Sequence, residues 1–117
     1  MITGIVTDDG VPVISLEIDG QDWSAIIDTG FNGDLELPEV LRGRLNDQPA
    51  GRLRSALAAG RVVEEDAYSV ELSFDGPTRE AIATFGPDPQ ILIGTNPLRE
   101  HRLQIRFVGK TLRLERE

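Results

Sequence analysis

Ala25-Ile26-Ile27-Asp28-Thr29-Gly30 places an acid and a glycine at the end of an apolar strand. A carboxylate so far into a hydrophobic run is costly unless it is paired or hydrogen-bonded. Gly30 lets the backbone turn sharply and approach another group closely. Thr29 adds a short hydroxyl able to brace a loop. Taken alone, the tripeptide also fits an ordinary β-turn capped by Asp28, so its neighbours decide the reading.

Upstream, residues 11–18 alternate, with Ile14, Leu16 and Ile18 on one face and Val13, Ser15 and Glu17 on the other. Asp19-Gly20 follows, a strong hairpin dipeptide, and Trp23 to Ile27 then forms the strand that runs into Asp28. Asp9-Gly10 separates an N-terminal strand over residues 2–7. Downstream, residues 35–37 read as a short strand stopped by Pro38, and residues 39–45 as a short helix or turn weakened by Gly43. Residues 52–74 read as a long hairpin with its tip at Ala58-Ala59-Gly60. Residues 80–85 form another strand, and Gly86-Pro87-Asp88-Pro89 breaks structure. Ile91-Leu92-Ile93 is wholly apolar, which predicts burial on both faces. Asn96 as N-cap and Pro97 at the first helical position predict a helix of one to two turns reaching about His101. Residues 103–108 and 111–115 form a terminal hairpin around Gly109-Lys110. Many short strands with little helix indicate an all-β barrel or sandwich.

Composition narrows the function. A chain of 117 residues is one ordinary domain. Its net charge of -8 disfavours nucleic acid and anionic membranes as partners. It has no cysteine, which excludes disulfides, thiolate metal sites and cysteine nucleophiles. No run approaches a membrane span, and the N-terminus lacks a leader pattern, so a cytoplasmic protein is expected. The one histidine, His101, lies in a charged stretch and reads as a solvated side chain. Arg42, Arg44, Arg52 and Arg54 read as a solvated face, and so does Glu64-Glu65-Asp66. Asp28, Asn32, Gly33 and Glu39 share part of the spacing of a calcium loop, but Gly30 and Pro38 occupy positions that defeat it. Neither a metal nor a cofactor is expected.

The alternating strand, the glycine turn, the paired aliphatics and Asp28-Thr29-Gly30 together resemble the N-terminal half of the retropepsin-like aspartic peptidases of clan AA. The aliphatic-aliphatic-Gly element of that family has its counterpart in Ile91-Leu92-Ile93-Gly94, with a hairpin of flap length between the two motifs. The resemblance covers roughly residues 11–108. The variant Asp28-Thr29-Gly30-Phe31 looks like a subgroup of free-standing bacterial and archaeal proteins. The resemblance implies a small closed acid-protease barrel with a flap hairpin and one short helix near the C-terminus. It implies Asp28 as the catalytic residue, Thr29 and Gly30 in the active-site loop, and Ile93 and Gly94 as supports of that loop. Phe31 lines the substrate cleft or fills the core, and Ala58, Ala59 and Gly60 form the flap tip. With one Asp-Thr-Gly per chain, the implied partners are a second copy of the chain and a peptide or protein substrate. A non-catalytic module of the same fold, serving dimerisation or peptide binding, is the alternative. Retroviral members pair an Asp and an Arg where this chain has Asn32 and Thr95, so a neutral hydrogen bond between those two is expected in place of the ion pair.

Overall fold

A computed structural model of the chain describes residues 1–45, 48–56 and 58–117. Ten strands dominate it: β1 (Ile2–Val6), β2 (Pro12–Ile18), β3 (Gln21–Ile27), β4 (Leu35–Pro38), β5 (Gln48–Ala56), β6 (Val62–Ser73), β7 (Arg79–Gly86), β8 (Ile91–Ile93), β9 (His101–Arg106) and β10 (Thr111–Arg116). They form one sheet in the order β5-β6-β7-β4-β8-β3-β2-β1-β10-β9. β6 also pairs with β2 through Glu17↔Ser73 and Ile18↔Leu72, which bends the sheet back on itself. β5 and β9 remain as edges, so the sheet is not closed through all its strands, as a complete barrel would be. No helix among the described residues is long and apolar enough to cross a membrane.

The alternation in β2 does what it predicts. Ile14, Leu16 and Ile18 are 1%, 3% and 0% exposed, while Ser15 and Glu17 face solvent. The turn to β3 places Asp19 at φ 51 and Gly20 at φ 81. Two successive left-handed residues match the right-handed twist of a tight hairpin, which is why the dipeptide is Asp-Gly. Leu35 and Leu37 of β4, Leu72 of β6, Ile93 of β8, and Leu112 and Leu114 of β10 complete the centre of the core. Burying each such side chain stabilises the fold by about 1.5–3 kcal/mol.

Around β8 and β9 three expectations from the sequence are corrected. No helix forms after β8. Asn96–Leu98 is a single 3-10 turn, and Thr95 rather than Asn96 stands at its N-cap, with no side-chain cap. The chain rejoins the sheet at His101, which pairs with Arg116, so there is no room for a second helical turn. His101 is not solvated: its side chain is 3% exposed, with its ring 5.5 Å from that of Phe74. Position 101 starts the inward-facing register of β9, and that register overrides the charged local sequence. Leu92 is only half-buried, unlike Ile91 and Ile93, because its face of β8 borders a cleft.

The long hairpin is present as β5 and β6, joined by a 3-10 turn at Ala58–Gly60 with left-handed Ala59 (φ 64) and Gly60 (φ 73). Arg52 bridges its strands through an ion pair to Asp66 at 3.0 Å. At its base Arg42 is more than a solvated charge. Its Nη1 donates to Tyr68 Oη at 2.8 Å, its guanidinium lies 4.4 Å from the centre of the Phe85 ring, and it pairs with Glu39. Tyr68 and Phe85 meet edge to face at 5.3 Å. The hairpin is thus fastened to β7 through aromatic packing. Glu65 is half-buried rather than solvated.

Candidate active site

β8 is the strut on which the site is built. It pairs in parallel with β3 (Ile27↔Ile93) on one side and antiparallel with β4 (Leu35↔Ile93) on the other. The loop between those two strands, residues 28–34, therefore leaves and re-enters the sheet on either side of one residue, Ile93. Four backbone bonds hold the loop to the end of β8 and the chain following it. Asp28 N donates to Ile93 O at 3.0 Å, Gly94 N to Asp34 O at 2.9 Å, Thr95 N to Phe31 O at 2.9 Å and Asn96 N to Gly33 O at 3.3 Å.

This close apposition explains Gly94. A β-carbon built on it would lie 2.7 Å from Phe31 O and 2.8 Å from Phe31 Cδ2, and closer still to Gly33 O. Two of these three obstacles are backbone atoms, so no side chain fits. Gly33 is constrained in the same way by the Phe31 ring, which would come within 2.7 Å of a β-carbon there. Phe31 is 4% exposed and packs its ring against both glycines, inside the loop.

Asp28 sits at the start of this loop, half-buried, with Thr29 and Gly30 exposed beside it. Its Oδ1 accepts the Gly30 N–H at 3.0 Å, and its carbonyl accepts Phe31 N at 3.2 Å. These bonds fix the carboxylate within its own turn, at the wall of a cleft. The cleft is about 460 Å³ and is lined beside Asp28 and Thr29 by Val11, Pro12, Ile26, Leu92 and Ile105. An anchored carboxylate on an apolar floor is suited to activating a water against a substrate whose side chains lie on that floor. Asp88, from the loop between β7 and β8, also borders the cleft.

Asn32 and Thr95 do not form the expected hydrogen bond. Asn32 is exposed, and Thr95 turns its Oγ1 to Phe31 O at 3.4 Å. The polar tie lies two residues further on. Asp34 is 6% exposed, its Oδ2 accepts Ile82 N at 2.8 Å and its Oδ1 accepts Asn96 Nδ2 at 2.6 Å. Arg79 approaches the same Oδ1 at 3.8 Å. A buried carboxylate needs such partners, and in meeting that need Asp34 joins the loop to β7 and to the turn after β8. The sequence reading missed Asp34 and Asn96. The available signal was an acid between Gly33 and the strand Leu35-Glu36-Leu37, a position that burial makes untenable for an unpaired charge.

Glu36 was also missed. It is half-buried on β4, and a β-carbon on Gly86 would lie 2.8 Å from its Cδ. Burial raises its pKa, and the negative charges of Glu65, Asp88 and Asp28 add to the rise. Glu65 of the hairpin is raised as well, by burial. Among the described residues no group of three or more acids or histidines comes together as a metal site.

No protein-family model matches this chain, and no curated protein sequence does. Solved structures do. A retropepsin-like aspartic protease from Rickettsia conorii superposes with a TM-score of 0.68 at 17% identity, over 98% of this chain and 89% of that one. EIAV protease, solved with a bound inhibitor, superposes with a TM-score of 0.58 at 16% identity, over 80% of this chain and 89% of that one. At such identities the likeness establishes the fold, which is retropepsin-like.

Proposed function

We propose that this chain is one protomer of a homodimeric aspartic endopeptidase, related to the free-standing bacterial and archaeal proteins with Asp-Thr-Gly-Phe. The observation that carries the reading is the placement of Asp28. Within a retropepsin-like fold it stands on a loop suspended from β8, anchored through Oδ1 and lining a largely apolar cleft.

The chemistry calls for two carboxylates, and the chain carries one Asp-Thr-Gly. Two-fold association supplies the second from another copy. Two like charges a few ångströms apart resist double ionisation, so the pair holds a single proton and titrates as a unit. The ionised member takes a proton from water as it attacks the peptide carbonyl. The protonated member polarises that carbonyl and then donates to the leaving nitrogen. The exposed Thr29 braces the two loops against each other. The substrate lies extended over Ile26 and Leu92, under the β5–β6 hairpin, whose tip at Ala58, Ala59 and Gly60 acts as the flap. Ile93 and Gly94 support the loop from behind, and Phe31 holds its interior, so its part in substrate binding is indirect.

The test is a peptide-library digest by wild type and Asp28→Asn from acid to neutral pH. The Asn side chain keeps an oxygen to accept the Gly30 N–H, so the loop should persist. Loss of at least about 10³-fold in cleavage rate is expected when the acid and base are removed together. Cleavage that survives the substitution would sink the mechanism. A dimeric wild type that cleaves nothing would favour a binding module instead.

A further inference from the structure

A second cavity, also about 460 Å³, lies where the start of β7, the turn after β8, the start of β9 and the end of β10 meet. Its walls include Arg79, Asn96, Arg99, Glu100, His101 and Arg116. Three arginines on one cavity are unexpected in a chain of net charge -8. Arg99 and Arg116 have no carboxylate within ion-pair distance among the described residues. Arg99 Nη1 reaches only the side-chain oxygen of Asn96, at 3.4 Å. Arg116 Nη2 lies over Gly76, 3.8 Å from where its β-carbon would be. Asp75, next to Gly76, is occupied by the Met1 amino group at 2.6 Å and stands 3.4 Å from His101 Nε2. Arg79 is 3.8 Å from an Asp34 oxygen that already accepts the Asn96 amide. The floor holds the buried imidazole of His101, neither of whose nitrogens makes a hydrogen bond.

We propose that this cavity binds a phosphate group, carried by a small molecule. Arg79 is shared with Asp34, but Arg99 and Arg116 lack a carboxylate partner and share the wall with Glu100 alone, which leaves it an excess of one positive charge. Guanidinium forks present paired N–H donors that match the oxygens of a phosphate. The volume lies within the range of small-ligand sites and exceeds what a bare anion fills. The site stands apart from the Asp28 cleft, and the proposal does not depend on the peptidase reading. Arg79 and Asn96 of its wall both contact Asp34, at the end of the loop that carries Asp28.

The test is isothermal titration of the full chain with inorganic phosphate and, separately, glycerol phosphate, against chloride at matched ionic strength. Saturable binding of both is expected, with the ester tighter because it fills the volume that the bare anion leaves. Arg99→Gln and Arg116→Gln should each weaken binding by about tenfold, the loss typical of one charge-assisted hydrogen bond. Glu100→Gln should tighten it. Both arginines are exposed, and Arg116 is the last residue of β10, so Arg116→Gln alone carries the test if Arg99→Gln does not fold. Absence of saturable binding beyond chloride, or binding that Arg116→Gln leaves unchanged, would overturn the proposal.

Discussion

Replacing Gly94 by alanine tests the architecture of the site with a single methyl group. The new β-carbon would meet Phe31 O at 2.7 Å and Phe31 Cδ2 at 2.8 Å, and would crowd Gly33 O still more. Ordinary carbon contacts begin near 3.5 Å, so the backbone of the loop must move away by most of an ångström. That movement stretches three bonds: Gly94 N to Asp34 O, Thr95 N to Phe31 O and Asn96 N to Gly33 O. Each contributes about 0.5–1.5 kcal/mol net. Loss of two or three of them, offset by about 0.4–1 kcal/mol from the stiffer unfolded chain, leaves a destabilisation of about 1–3 kcal/mol. For a domain of this size about 1 kcal/mol corresponds to about 4 °C in Tm, so a fall of about 4–12 °C is expected. The assay is thermal and urea denaturation of Gly94→Ala beside Gly109→Ala. Gly109 is the control, because a β-carbon there meets only Thr111 Oγ1, at 3.8 Å. If Gly94→Ala melts within about 1 °C of wild type, the loop is not held as described and the calculation from those contacts is refuted.

Three further outcomes are expected. Asp34→Ala removes a buried acceptor from the Ile82 N–H and the Asn96 amide, and should cost about 2–5 kcal/mol, measured by urea denaturation; additivity with Asn96→Ala in a double-mutant cycle would show that the two do not act together. Glu36 has its pKa raised in the folded chain, so its carboxyl favours the fold below the unfolded pKa and loses that favour as pH rises through the folded value. Glu36→Gln should therefore raise Tm at pH 7 and leave it nearly unchanged at pH 4; a gain confined to pH 4 would reverse the assignment. Two chains of net charge -8 repel, so sedimentation should show the proposed dimer tightening as sodium chloride is raised, and a dimer that loosens with salt would point to an interface held by ion pairs.

Most of the strands were legible because alternation and turn chemistry agree with the tertiary structure. β2 is the clearest case, where Ile14, Leu16 and Ile18 fall on the core face and Asp19-Gly20 takes the two left-handed positions of the turn. Where local and long-range demands disagree, the sequence misleads. Asn96-Pro97 carries good helix-start chemistry, yet the Asn96 side chain is committed to Asp34, and pairing of His101 with Arg116 ends the turn after three residues. His101 and Glu65 look like surface residues within their charged neighbourhoods. Their burial is decided by which face of β9 and β6 is inward, a matter of register that a one-residue shift would invert.

The site shows the same division at finer scale. Asp28 could be singled out because Asp-Thr-Gly after paired aliphatics is a local pattern, and Gly94 because it follows another. What joins the two motifs is not local. Gly94 is glycine because the carbonyls of Phe31 and Gly33 occupy its β-carbon position, a contact across more than sixty residues of sequence. The expected tie between Asn32 and Thr95 names the correct pair of elements, but two side chains must face each other as well as belong to facing loops. Asn32 is exposed within the loop, whereas Asp34, where the chain enters β4, is buried and meets Asn96 instead. The ion pair of the retroviral pattern thus gives way to a buried carboxylate satisfied by a backbone N–H and an amide. Arg79 approaches that carboxylate at 3.8 Å and also lines the arginine-bearing cavity. Asp34, which secures the loop bearing Asp28, is for that reason also the point at which that loop touches Arg79 and Asn96 of the second cavity.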